Sequence, residues 1–311
     1  MSKYLISVII PVYNVEKYIA AALNSICNQT YRNLQIIVID DCSTDNTYQI
    51  AKKIAESDSR ILLLKNEKNS KIVKTLNYGL KFATGDFIAR MDGDDISSPE
   101  RLEKQLKFLL ENPEYSLVGS HVNTIDENDV SIGKLEMPID QSSISKNLKY
   151  SSPVLHIWLA KSEVYKKLEG YREIPGAEDY DFLLRMYTEN FKFTNLNSFE
   201  YSVRIRDGNT TSTIGFNQRL MSNYVVKLFM ERKKNGFDSF SCENVNKFLH
   251  KFSRYQKDFE KSNEYLRVAF SAKSQKKTIK MLFYVSLSVV TSRFQFQYLL
   301  KRFLFKLNSL R

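Results

Sequence analysis

Four short apolar runs, at residues 5–10, 34–39, 61–64 and 87–91, alternate with segments of helical periodicity over the first part of the chain. Between them, residues 15–27 place Ile19, Ala22, Leu23 and Ile26 on one face, and further helical patterns start near Thr47 and cover residues 73–83. Strand, helix, strand, helix in this order implies an α/β fold with a mostly parallel central sheet. Each run ends in polar residues or a break: Pro11 after the first, Asp40 and Asp41 after the second, Asp92, Asp94 and Asp95 after the fourth. In open parallel sheets ligands bind beyond the carboxyl ends of the strands, so these residues are expected to share one crevice.

The stretch GDFIARMDGDD, residues 85–95, packs three of those carboxylates into four positions. Like charges this close repel one another and raise one another's pKa unless a cation or donors neutralise them, which favours a hard metal such as Mg2+ or Mn2+. A site with so few protein ligands leaves coordination positions open, and those suit a diphosphate. An acidic turn capping a helix that begins near Pro99, with Ser97 and Ser98 as caps, explains the same residues. A calcium loop of the EF-hand kind fits worse, because Ile96 and Ser97 stand where that loop wants a ligand and a glycine.

A second acidic motif, GAEDYD at residues 176–181, precedes Phe182, Leu183, Leu184 and Met186 in a helical pattern. One carboxylate in a first turn serves the helix dipole, whereas three within four positions exceed that need. His156, within SSPVLHIWLAKS, is a lone histidine in an apolar strand-like segment, a pattern commoner in cores than in sites. Arg204 and Arg206 follow a strand at residues 200–205, and alternation puts both on one face. A guanidinium suits a diphosphate or a lipid-linked phosphate, and a solvated sheet edge accounts for the pair as well.

Taken in order, SVIIPVYNVEKYIAAALNSICNQTY, VIDDCSTDNT, LNYGLKFATGDFIARMDGDD, SPERLEKQ and GYREIPGAEDYDFLLRM resemble family 2 glycosyltransferases of the GT-A fold, over roughly the first two thirds of the chain. Within that family the chain most resembles bacterial enzymes that extend lipid-linked oligosaccharides for O-antigen or capsule. The resemblance implies a Rossmann-like nucleotide-binding half and inverting transfer from a nucleotide sugar, most readily a UDP-sugar, with Mn2+ or Mg2+. It implies that Pro11, Tyr13 and Asn14 touch the base and that Asp41 pairs with uracil, a role that suits a carboxylate facing an imide N–H. By the same resemblance Asp92 approaches the ribose or the metal, Asp94 ligates the metal, Gly93 belongs to the nucleotide-sugar site, and Asp95 supports them or caps the helix. Asp179 is the general base that takes the acceptor's proton, Glu178 and Asp181 position the acceptor or cap the helix, and His156 and Arg204 lie near diphosphate or acceptor. The sequence departs from the family in the third loop, where Asn-Gly is usual and this chain reads Asn69, Ser70, Lys71. Serine lacks glycine's freedom at positive φ, so that loop is expected to differ; Lys71 or Lys74 meeting phosphate is one compensation, and both are equally read as surface lysines.

Charge divides the chain into an expected catalytic domain at 1–215, with a nucleotide-binding half at 1–95 and an acceptor half at 96–215, and a helical region at 216–311. The latter holds 20 Lys or Arg against 6 Asp or Glu, the former 26 against 29. Its aromatic, basic helices, from Met281 through Phe294, Phe303 and Leu307, read as an amphipathic surface on an anionic membrane, too short and interrupted to span one, or as packing on the catalytic domain. Cys27, Cys42 and Cys242, an odd number without metal-ligand spacing, suit a reducing cytoplasm, and no secretory signal is read at the start. The expected location is therefore cytoplasmic, peripheral on the inner face of the cell membrane, with a polyprenyl diphosphate-linked glycan as acceptor. A nucleic-acid-binding protein is the competing class, on the strength of a pI near 9.3 and 38 Phe and Tyr. The charge is confined to the tail and the crevice is acidic, so no nucleic-acid partner is expected. A metal-dependent nucleotidyltransferase would share the crevice but has no use for a distant carboxylate motif suited to a hydroxyl acceptor.

Overall fold

The computed structural model describes residues 3–206 and 215–309; residues 207–214, at the expected domain junction, lie outside the described residues. Strands β1 (Ile6–Val12), β2 (Leu34–Asp40), β3 (Ile61–Lys65) and β4 (Phe87–Arg90) alternate with helices α1 (Ile19–Cys27), α2 (Thr47–Ser57) and α3 (Lys71–Leu80), and all four strands pair in parallel. There follow β5 (Ile96–Ser97), α4 (Arg101–Glu111), β6 (Tyr115–Ile125), β7 (Ser131–Leu135), α5 (Gln141–Asn147), β8 (Leu159–Lys161), α6 (Ser162–Leu168), α7 (Glu178–Thr188) and β9 (Lys192–Arg204). One sheet runs β3-β2-β1-β4-β8-β6-β9-β5, with β7 on the side of β6. The parallel half is as the alternation predicts. Beyond β4 the sheet turns mixed: β8 is antiparallel to both β4 and β6, β5 to β9, and only β6 with β9 is parallel.

Continuous apolar strands are buried on both faces here. Ile6, Val8 and Ile10 of β1 face one core with α1 and α4, while Ile9, with Ile37 and Ile39 of β2, faces the other with α3, α6 and α7. Helix α3 lies so close to the sheet that a Cβ on Gly79 would fall 2.7 Å from Ile39 Cδ1.

Helix α1 starts four residues later than its periodicity suggests. The N–H groups of Val15 and Glu16 donate to Thr47 Oγ1 (2.8 Å) and Asp45 Oδ2 (3.1 Å), which holds the first turn off the helix and against the next loop. Ser97 and Ser98 do not cap α4 through their side chains. Ser97 is held in β5 opposite Tyr201 of β9, and its hydroxyl accepts from Gln29 Nε2 at 3.2 Å. His156 precedes β8 in an irregular segment rather than lying in a strand.

The C-terminal region is helical: α8 (Gly215–Asn235), α9 (Cys242–Phe252), α10 (Gln256–Ser274), α11 (Thr278–Thr291) and α12 (Arg293–Ser309). Helix α8 buries Leu220, Met221, Tyr224, Val225 and Leu228 in the same core as Trp158 and Phe182, so the catalytic core and the basic region are continuous there. Asp181, which is fully buried, bonds Arg185 at 2.8 Å, and Arg172 and Arg232 both meet Asp238. Arg232 of α8 also approaches Asp181 of α7 at 3.9 Å, which ties α8 to α7 and gives Asp181 a structural task. Among the described residues no helix is long and apolar enough to cross a membrane.

Candidate active site

The order β3-β2-β1-β4 reverses at β1, so the loops after β1 and β4 diverge and leave a crevice at their carboxyl ends. Three loops build its first wall. Asn14 takes positive φ (50°), and its Oδ1 accepts from the Thr44 N–H at 2.9 Å, tying the loop after β1 to the loop after β2. Pro11 is buried in register with Ile39, whereas Tyr13 is 45% exposed. Asp41 accepts from Asn66 Nδ2 (2.7 Å), Ser70 N–H (2.7 Å) and Lys71 N–H (2.9 Å), so it anchors the third loop at the start of α3. The missing glycine is resolved one residue later, because Lys71 itself takes φ 67°. Lys74 pairs with Glu173 at 3.6 Å on the surface.

The loop after β4 carries the acidic cluster. Gly93 is required by packing, since a Cβ would lie 2.5 Å from Val12 Cγ1. Asp92 keeps its backbone N–H on the Tyr201 hydroxyl (3.1 Å) and its carboxylate between two cations: His156 Nε2 donates at 2.9 Å and Arg90 approaches at 3.4 Å. Asp94 pairs with Arg206 Nε at 2.8 Å. Asp95 is buried and accepts the Arg204 N–H at 2.8 Å.

The second acidic motif closes on this cluster from α7. Asp179 Oδ2 stands 3.7 Å from His156 Nδ1, and its Oδ1 accepts the Tyr180 N–H at 2.7 Å. Glu178 is buried against Arg90 at 3.1 Å, and its Oε2 has no hydrogen-bond partner among the described residues. The result is a row of alternating charges, Asp179, His156, Asp92, Arg90, Glu178, assembled from three separate segments: the end of β4, the segment before β8 and the start of α7. His156 is thereby not a core histidine but a bridge between two carboxylates.

Electrostatics follow from that row. Burial disfavours a charged His156, yet the charge of Asp92 and the hydrogen bonds of both carboxylates prevail and push it up to about 10. Asp92 and Asp179 are held below the usual carboxylate range against burial, chiefly by His156 and Arg90. Glu178 moves up instead, because burial and the neighbouring Asp179 outweigh Arg90. Burial and the charge of Asp92 also raise Asp94 and Asp95.

Arg204 is buried and lies over the Tyr18 ring, with Nε on the Asp94 carbonyl at 2.7 Å, Nη1 on the Asp126 carbonyl at 2.8 Å and Nη2 on Asp129. Those bonds shape the loop after β4, and the Arg206 guanidinium meets the Asp94 carboxylate. Three residues at the site carry no motif of their own. Arg90 was detectable as an arginine inside an apolar strand, where a buried charge needs a partner. Arg101 bonds the carbonyls of Arg90 and Ile157 at 3.3 Å beneath Tyr201, and Tyr201 positions Asp92; only the three-dimensional packing reveals either.

Comparison with known proteins agrees with this arrangement. The family model described as glycosyl transferase family 2 matches residues 7–184. A putative glycosyltransferase EpsE of Bacillus subtilis (strain 168) is 38% identical over 204 residues, 64% of this chain and 72% of its own. The O-antigen biosynthesis glycosyltransferase WbnJ of Escherichia coli is 32% identical over 236 residues, 74% of this chain and 90% of its own. A UDP-Glc:alpha-D-GlcNAc-diphosphoundecaprenol beta-1,3-glucosyltransferase, WfgD of Escherichia coli, is 40% identical over 149 residues, 47% of this chain and 57% of its own. In fold, the structure is similar to S. aureus TarS 1-349 in complex with UDP-GlcNAc, with a TM-score of 0.59, 22% identity and 89% of each chain covered. The family model spans more than half of the chain and includes both acidic motifs, so this protein is a glycosyltransferase and belongs to glycosyl transferase family 2.

Proposed function

We infer that the chain is an inverting, metal-dependent transferase that moves a sugar from a UDP-sugar to a hydroxyl of a lipid-linked oligosaccharide during synthesis of a cell-surface polysaccharide such as O-antigen or capsule. The observation that carries this reading is the Asp179, His156, Asp92 row, which sets a carboxylate suited to an acceptor hydroxyl beside the acidic end of β4. Asp179, ionised and at the start of α7, takes the proton of the acceptor hydroxyl as that oxygen attacks the anomeric carbon. The bond to the diphosphate breaks on the opposite face and its electron pair leaves with the nucleotide. His156, carrying its proton, keeps Asp179 and Asp92 ionised and in register.

The residues fit a hard cation. Asp92 and Asp94 offer two carboxylates on one turn, and the mutual repulsion that raises Asp94 is relieved by positive charge. Among the described residues no three His, Cys, Asp or Glu are arranged to hold a metal, which leaves the rest of the shell to diphosphate oxygens and water. Bound there, Mg2+ or Mn2+ would neutralise the leaving diphosphate. Arg206 would then share or release Asp94. The names of WfgD and of the TarS complex support a UDP-sugar, that of WfgD supports a diphosphate-linked lipid acceptor, and that of WbnJ supports O-antigen synthesis.

Attachment to the inner face of the cell membrane is part of the same reading. Helix α11 exposes Ile279, Leu282, Phe283 and Val290 along one face, and Lys273, Lys276, Lys277 and Lys280 lie at or just before its start. An apolar stripe edged by lysines suits an anionic surface. The test is transfer from UDP-, dTDP- and GDP-sugars to a lipid-linked acceptor, with and without Mn2+. Asp179→Asn should lower turnover about 10³-fold with donor binding near wild type. Asp94→Ala should weaken donor binding only when metal is present; equal donor affinity with and without Mn2+ in the wild type would sink the metal role.

A further inference from the structure

A cleft of about 810 Å³ opens between α8, α9 and α12, with Lys149 and Tyr150 also lining it. Its walls are apolar, with Val226 from α8, Phe248 from α9, and Leu300 and Leu304 from α12. Three cations line it, Lys149, Arg293 and Lys301, and among the described residues no Asp or Glu does. Their partners are neutral: Lys149 lies over the Tyr150 ring, Arg293 over Tyr255 and Phe294, and Lys301 donates to Asn223 at 2.6 Å. An apolar cleft of this size with unneutralised positive charge is complementary to an anionic head carrying a hydrocarbon chain. A free sugar would leave the walls unmatched, and a neutral peptide would leave the charges unmatched.

The cleft is also coupled to the catalytic helix. The Tyr180 hydroxyl, on the residue after Asp179, donates to the Leu148 carbonyl, and the next two residues are the cleft's Lys149 and Tyr150. The far end of α12 docks on the same segment, where Ser143 Oγ donates to the Asn308 carbonyl at 3.0 Å. On the neighbouring face α12 exposes Phe296, Phe303 and Leu307.

We propose that this cleft seats the lipid end of the acceptor: the phosphate of a prenyl diphosphate meets Lys149, Arg293 and Lys301, and the first units of its chain lie against Phe248, Leu300 and Leu304. The proposal rests on the reading that the acceptor is lipid-linked. Binding there would let the lipid's own contacts bring the glycan hydroxyl to Asp179, so that remote binding energy serves the reaction.

Calorimetric titration of the full chain with farnesyl diphosphate, inorganic diphosphate and phosphatidylglycerol vesicles tests it. Wild type should bind farnesyl diphosphate at least tenfold more tightly than inorganic diphosphate. Leu300→Trp, at a 44% exposed position, fills the cleft, and Lys149→Gln with Lys301→Gln removes charge; each should weaken farnesyl diphosphate binding about tenfold while donor binding stays unchanged. Equal affinity in wild type and both variants overturns the proposal, as does inorganic diphosphate binding as tightly as the prenyl compound. Loss of vesicle binding alone, with farnesyl diphosphate unaffected, assigns the cleft to bulk lipid and overturns it too. No turnover enters the measurement, so this result stands apart from whether transfer is observed.

Discussion

The two walls of the crevice are built in opposite ways. In the nucleotide-binding half, the loops after β1, β2 and β3 satisfy one another: Asn14 holds Thr44, Asp45 holds Glu16, and Asp41 holds Asn66, Ser70 and Lys71. These partners come from loops at the ends of adjacent parallel strands. On the facing wall, Arg90 meets Glu178, and His156 meets Asp92 and Asp179, across segments that share no strand pairing at those residues. Neutral amide donors stabilise the first wall, so a lost bond is a local loss. Buried opposite charges stabilise the second, so removing one member strands another.

The sharpest way to break the contrast is Arg90→Met. It leaves Glu178 buried without a cation and should cost about 3–5 kcal/mol in chemical denaturation, with Arg90→Met/Glu178→Leu recovering most of it. A loss below about 1 kcal/mol would make the two walls energetically alike. His156 comes next. Its imidazole should titrate near pH 10 by NMR, and a value near 6.5 would dissolve the row. Because its folded pKa lies above the unfolded value, its contribution is fully present below about pH 6.5 and is lost as pH rises through about 10. Wild type should therefore lose its advantage over His156→Gln across that window in urea unfolding.

On the first wall, Asp41→Asn should cost about 2 kcal/mol, since one oxygen that accepts charged-group hydrogen bonds becomes an amide donor facing an N–H. Smallest is Lys71→Gly. A non-glycine residue at φ 67° is strained, but glycine loses more chain entropy on folding, so a net gain of about 0.5 kcal/mol in thermal unfolding is expected. A loss of stability would mean that the Lys71 side chain contributes more than its backbone strain costs.

Legibility tracks the same divide. The parallel half could be read because its strands are runs of Val, Ile and Leu broken by Pro11 and by aspartates, and its loops lie where strand order requires. Helix starts were harder. Periodicity marks which side chains face the core, and Val15 does so without being helical, because its N–H is taken by Thr47. Ser97 looked like a cap and is held in a strand, since pairing with β9 is a long-range event. For Arg204, alternation identified the face it shares with Arg206 over Tyr18. Its bonds to the loops at Asp94 and at Asp126 and Asp129 were invisible to any local pattern.

By itself the sequence determined the α/β alternation, the two acidic motifs and a basic helical tail, because periodicity, strand-end breaks and charge are properties of neighbouring residues. The tertiary structure alone decided that His156 lies between Asp92 and Asp179, that Arg90 neutralises Glu178, and that α8 joins the catalytic core. Those depend on which segments the mixed half of the sheet brings together. Buried charges are tolerated only where such a partner arrives, and no local pattern states which one will.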